Sequence, residues 1–299
     1  MIRLSLPQKK GGVGKTTLVR ILGEWFSRHK RVLLVDFDAQ CSLSSMYLNM
    51  DRVGTGRRKR PPIHPEFNPS DPEMSEWSGR SSTADIFYRD RIVERYEIAE
   101  TEHGKMDILP ADSRELVHVS QIEADPIRSL VEQAIPTFFS DEALSDLYDI
   151  VIFDTSPSDS PLLRGVIRAS SHIIVPMEPE QHCVDSLDEM VGSVLEEQQR
   201  RPKSDPLTML GLQVNKYQKV RSIHQGLLQR VRDTEGLAEH LSPVIIPNRT
   251  AYAERDVRGL LPRSIFDVKP SDPARKVAEQ WCTHVESQLF PERGHAAKR

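Results

Sequence analysis

Short unbroken apolar runs alternate along the chain with longer stretches in which apolar residues recur every third or fourth position. The runs are "IRLSL" (Ile2–Leu6), "RVLLVDFD" (Arg31–Asp38), "MDILPA" (Met106–Ala111), "YDIVIFD" (Tyr148–Asp154), "SHIIVPM" (Ser171–Met177), "MLGLQVN" (Met209–Asn215) and "SPVIIP" (Ser242–Pro247). A strand covered on both faces reads as such a run, whereas a strand with one wet face alternates. The first helical stretch places Leu18, Ile21, Leu22, Trp25 and Phe26 on one face. Strands separated by helices predict an α/β fold, a doubly wound and mostly parallel sheet with helices on both faces. Its ligand is expected at the carboxyl ends of the strands. We expect residues 1–290 to form a single domain and 291–299 to be a flexible tail. Residues 51–83 break the rhythm with Pro, Gly, Ser and charge, and are expected to form an irregular excursion, mobile or only partly ordered.

Composition narrows the class. Of 299 residues, 28% are charged and 38% hydrophobic, an ordinary soluble balance, and no apolar run approaches a membrane span. The first ten residues lack the apolar core of a signal peptide. Cys41, Cys183 and Cys282 are odd in number and far apart, which predicts reduced thiols in a cytoplasmic protein. With a net charge of −4, any nucleic-acid binding must come from a local patch.

The chemistry begins at "QKKGGVGKTTL", Gln8–Leu18. A phosphate loop works because successive backbone N–H groups and a helix N-terminus converge on an anion. Gly11, Gly12 and Gly14, with Val13 between them, would let the backbone curl that tightly. Lys15 would meet the β- and γ-phosphates, and Thr16, followed by Thr17, would ligate Mg2+. Position 9 is Lys where the usual phosphate-loop pattern has Gly, and a second lysine, Lys10, heads the loop. "LLVDFDAQ" ends a strand with Asp36 and Asp38, which alternate onto one face. Asp38, further out, is placed to orient an attacking water, and Asp36 to hold a metal's water shell. "IVIFDTSPSDSP" is a second strand ending in an acid, and Asp154 fits a Walker B role beside Mg2+.

These residues resemble the deviant-Walker ATPases of the ParA/MinD type. Lys10–Thr16 matches the family's K-G-G-x-G-K-T loop, "RVLLVDFDAQCSLS" its Walker A′ strand and "YDIVIFDTSPS" its Walker B. "ASSHIIVPMEPEQHCVDSL" and "IIPNRTAYAERDVRGLLP" are similar to later ParA segments, so the likeness runs from about residue 1 to 265. The resemblance implies a P-loop ATPase, with ATP and Mg2+ as cofactors and an ATP-bound homodimer in which Lys10 serves the partner's site. It further implies that Asn215 and the backbone near Pro247 contact adenine. The chain departs from the family at Ser156-Pro157, where Pro-Pro is usual, and at Lys9, where Gln is common.

Within the family, ParA-like members bind DNA non-specifically through basic residues near the C-terminal strands. The positions here are Lys216, Lys219, Arg221, Arg249, Arg255 and Arg258, with Arg230 and Arg232 weaker. The expected role is to segregate or position a plasmid or other replicon on the nucleoid with a ParB-like centromere-binding protein. The alternatives are positioning of a protein assembly, or a MinD-like membrane-associated role. The last helical stretch carries Val277, Trp281, Val285 and Leu289 at i, i+4 spacing, but its polar residues are mixed or acidic. That composition fits a helix docked on its own domain, so no membrane partner is expected. No Cys lies in the Walker B switch to hold an iron–sulfur cluster, no helix-turn-helix precedes the loop, and no constellation declares a small acceptor substrate.

Overall fold

The computed structural model describes residues 1–54, 58–100, 104–254 and 264–291. In chain order the strands are β1 (Ile2–Ser5), β2 (Arg31–Phe37), β3 (Asp51–Arg52), β4 (Lys59–Arg60), β5 (Tyr96–Glu100), β6 (Lys105–Leu109), β7 (Ile150–Thr155), β8 (His172–Met177) and β9 (Thr208–Val214). The helices are α1 (Lys15–Phe26), α2 (Ser42–Tyr47), α3 (Ser113–Ser120), α4 (Asp125–Phe139), α5 (Glu142–Leu147), α6 (Pro161–Ala169), α7 (Cys183–Arg200), α8 (Ser222–Asp233), α9 (Thr250–Ala253) and α10 (Pro273–Leu289). A seven-stranded sheet runs β5-β6-β2-β7-β1-β8-β9, and every pairing in it is parallel except β5 with β6.

Helices cover both faces, and the period of two along each strand decides what each face receives. Val32 and Leu34 of β2 join Leu18, Ile21, Leu22 and Phe26 of α1 and Trp281, Val285 and Leu289 of α10. Leu33, Val35 and Phe37 face the other way, against Leu116 of α3, Ile135 and Phe139 of α4, and Leu162 and Val166 of α6. Burying a leucine-sized side chain contributes about 1.5–3 kcal/mol, so these two layers hold β2 in place from both faces, and a third cluster packs Val175 of β8 and Leu212 of β9 against Leu187 and Val194 of α7. The apolar side of α10 is spent inside the first of these layers, with Trp281 only 1% exposed. Among the described residues no helix is long and apolar enough to cross a membrane.

One expected strand is not formed. "SPVIIP" forms no strand; the Ser242 and Ile246 N–H groups donate to the Leu212 and Val214 carbonyls of β9, and isolated bridges stand just before it, Leu212 with Leu241, and at its end, Tyr217 with Pro247. Pro243 and Pro247 bracket it and have no N–H to give a ladder. The excursion at 51–83 has little regular structure, a two-stranded β3–β4 ribbon and short 3-10 turns. It nonetheless carries its own small apolar cluster, His64 and Phe67 against Trp77, with His64 also against Tyr96 of β5.

The functional site lies at the carboxyl end of β1, from which the chain first crosses toward β2 on one side, while after β7 it crosses β1 to reach β8 on the other. That is where the strand order reverses and a crevice opens.

Candidate functional site

The loop between β1 and α1 curls through two left-handed glycines, Gly12 at φ 81° and Gly14 at φ 86°. Left-handed backbone costs any other residue roughly 1–2 kcal/mol, which explains glycine here. Gly14 is the N-cap of α1, no side chain caps the helix, and its first turn holds no acid. The N–H groups of Lys15, Thr16 and Thr17 therefore open α1 as a bare positive end, suited to an anion.

Lys15 is buried, with Nζ donating to the Gln8 carbonyl at 3.1 Å. Burial lowers its pKa, while Asp154 and Asp38 push the other way and favour the ammonium. Gln8 itself was not singled out by the sequence. Its Nε2 donates to the Pro176 carbonyl at 3.2 Å and its Oε1 accepts from the Lys10 N–H at 3.3 Å, which ties the loop to β8.

Lys10 points elsewhere. Its Nζ donates to the Gln181 carbonyl at 3.2 Å and lies 3.9 Å from Glu180, on the loop that leads into α7. Two lysines of one loop thus have different directions, Lys15 inward and Lys10 across the mouth.

Asp36 and Asp154 are register partners on β2 and β7. Both are buried and both carboxyls are pushed up. Burial is the main cause for each, and Asp36 then adds to Asp154, which rises to about 8. Their hydrogen bonds separate their roles. Asp36 accepts from Ser44 N–H at 2.9 Å, Ser44 Oγ at 2.6 Å and Asp38 N–H at 2.9 Å. With both oxygens engaged, Asp36 shapes the turn into α2; this departs from the expectation that it holds a metal's water shell. Asp154 accepts from the Thr155 N–H at 3.1 Å and lies within reach of the Thr16 hydroxyl, yet its Oδ2 is buried with no partner. A buried carboxylate oxygen left open beside a hydroxyl fits a hydrated cation. Among the described residues no three His, Cys, Asp or Glu side chains converge to hold a metal alone. A cation here would therefore be shared between Thr16, Asp154 through water, and phosphate oxygens.

Asp38 sits at the rim, 9% exposed, and its Oδ1 accepts from the Gln40 N–H at 2.9 Å. The end of β9 closes the loop from the opposite side. Asn215 Nδ2 donates to the Val13 carbonyl at 2.8 Å, and Lys216 Nζ to the Gly12 carbonyl at 2.5 Å. Lys216 was expected on a DNA face; its left-handed backbone, φ 54°, turns it back onto the phosphate loop. Pro247 bridges to Tyr217 one residue further on. Lys219, Arg221 and Arg249 are exposed beyond that bridge, with Arg221 3.9 Å from Glu180. Arg255 and Arg258 lie outside the described residues.

Known proteins share this fold. The family described as AAA domain matches residues 2–205, and the chromosome-partitioning ATPase Soj of Thermus thermophilus is 25% identical over 95% of this chain and 96% of its own. The chain belongs to the ParA/MinD-type ATPases. Among solved structures, a plasmid partition protein of Borrelia burgdorferi bound to AMPPNP superposes with TM-score 0.66 at 19% identity, covering 96% of this chain and 99% of that one. Cobyrinic acid a,c-diamide synthase of Mycobacterium smegmatis, bound to an ATP analogue and magnesium, superposes with TM-score 0.64 at 21% identity, covering 98% and 97%. The bare helix end and the inward Lys15 could hold the phosphates of a nucleotide, and the open Asp154 oxygen could face a hydrated cation.

Proposed function

We propose that this ATPase is a ParA-like switch: ATP joins two copies, the joined form holds DNA without sequence preference, and a partner protein speeds a slow hydrolysis. The observation that carries this reading is the divergence of Lys10 from Lys15. Lys15 is committed to its own loop, whereas Lys10 reaches across the mouth, where the Gln181 carbonyl and Glu180 hold it. A cation free to enter a neighbour's site would neutralise charge as it develops on the phosphates, the logic of an arginine finger.

Within each copy the chain's own groups divide the work. The loop N–H groups and Lys15 bind and orient the phosphates, and Asp38, at the rim, is positioned to hold the attacking water. Bound Mg2+ would supply charge neutralisation on the phosphate oxygens, with Thr16 and Asp154 as its protein side. The cargo is a replicon marked by a ParB-like protein; among the described residues no feature favours the membrane alternative, since α10 spends its apolar side on the core.

The test is duplex DNA binding with ATP, with ADP and without nucleotide. Strong binding only with ATP is expected, and equal binding in all three states would sink the switch.

A further inference from the structure

Residues 51–60, "DRVGTGRRKR", carry five cations and one carboxylate in a chain whose net charge is −4. The β3–β4 ribbon is antiparallel, with Asp51 opposite Arg60 and Arg52 opposite Lys59, and the Val53 N–H donates to the Arg58 carbonyl at 3.0 Å. Its single carboxylate, Asp51, is taken by Arg80 from outside the ribbon at 2.7 Å. Arg52, Arg58 and Arg60 are exposed, and no ion pair or side-chain hydrogen bond engages them among the described residues. Lys59 is the anchor: its Nζ donates to Ser45 Oγ at 2.8 Å and to the Gln40 carbonyl at 3.3 Å. Gln40 is the residue whose N–H holds Asp38, so the ribbon is pinned beside the rim of the nucleotide site.

We propose that this ribbon is a contact surface for the phosphate backbone of duplex DNA, in addition to the basic positions near β9. The proposal rests on the DNA-binding reading above. Three unpaired guanidiniums on a short, pinned ribbon are placed to bind phosphate oxygens bidentately. Arginine is preferred for such recognition because its planar fork loses less freedom per bond formed than an ammonium does. An acidic protein would also meet these charges, but binding to phosphates leaves a signature in salt dependence that such docking need not share.

The test compares wild type with an R52A/R58A/R60A variant in the presence of ATP, titrating a random-sequence duplex at several salt concentrations. Each arginine–phosphate pairing removed makes the slope of log K against log salt shallower by about 0.9, so a change of about two to three is expected. ATP affinity and DNA-free turnover should match wild type, and an R52K/R58K/R60K variant should recover most of the slope. Equal slopes for wild type and the alanine variant would overturn the ribbon while leaving the DNA reading intact. Absence of duplex binding by wild type would overturn the DNA reading, and the ribbon's role with it.

Discussion

Asn215, the first residue past β9, donates its side-chain amide to the carbonyl of Val13 at 2.8 Å, so the far side of the sheet holds the phosphate loop in shape. Asn215 is 5% exposed, and its removal would leave a loop carbonyl without this partner. Such a loss typically costs about 1–3 kcal/mol, which corresponds to roughly tenfold weaker ATP binding for Asn215→Ala. The adenine contact implied by family resemblance makes a different forecast. A clamp on Val13 weakens ATP, GTP and inorganic triphosphate alike, whereas an adenine contact weakens ATP alone. Fluorescence titration of the three ligands decides between them.

The same amide polices Gly14. A Cβ at Gly14 would land on Asn215 Nδ2, whereas a Cβ at Gly12 would meet nothing within 4 Å. Both positions are left-handed, so both alanine variants bear about 1–2 kcal/mol of backbone strain. Gly14→Ala must also displace the clamp, and overpacking of that kind adds about 1–3 kcal/mol. Denaturant unfolding should show Gly14→Ala as the less stable of the two, and equal losses would refute the collision.

Much of this architecture was legible because buried parallel strands read as apolar runs and the glycine loop stands between a strand and a helix. What escaped has physical reasons. The edge strand β5, "YEIAE", exposes Glu97, Ala99 and Glu100 and pairs on one side only, so it carries no apolar run. "SPVIIP" is apolar enough for a strand, but its prolines leave it only isolated hydrogen bonds and bridges to the sheet. At the site, Asp36 and Asp154 look alike in sequence, each ending a strand. Only the fold shows that Ser44, eight residues beyond Asp36, takes one of its oxygens and the Asp38 N–H the other, while Asp154 keeps one open. Lys216 was legible as a cation and not as a direction, since one left-handed residue decides where its side chain goes.

That open oxygen makes stability depend on pH. The Asp154 carboxyl is raised from 3.8 to about 8 by burial and by the charge on Asp36. A raised acid pKa means that the folded state holds the proton more tightly than the unfolded chain does. Its contribution to stability is therefore full below the unfolded value and is lost as pH rises toward 8, at up to about 1.4 kcal/mol per unit. Asp154→Asn removes that titration. Thermal unfolding of the nucleotide-free protein should fall more from pH 5 to pH 8 in wild type than in the variant. ATP with Mg2+ should narrow the difference, because a cation beside the carboxylate favours its ionised form. Parallel pH profiles for the two proteins would show that Asp154 is not held protonated.

Lys10 is the residue on which the dimer reading turns. Its ammonium is held at the surface, by the Gln181 carbonyl and near Glu180, and exposed pairs of that kind contribute about 0–1 kcal/mol. Breaking them to enter a neighbour's site is therefore cheap, and the protomer does not need Lys10 to fold or to bind its own nucleotide. Lys10→Ala should leave the melting temperature and the monomer's ADP affinity as in wild type. ATP-dependent dimerisation, followed by sedimentation, should weaken, and turnover should drop at least about tenfold through loss of a charge-stabilising donor. Mixing adds a sharper readout. A Lys15→Ala protomer, which lacks its own phosphate lysine, can still lend Lys10 to a Lys10→Ala partner, so the mixture should hydrolyse ATP faster than either variant alone. Inactivity of the mixture, with both proteins folded and able to pair, would place Lys10 in its own subunit's site.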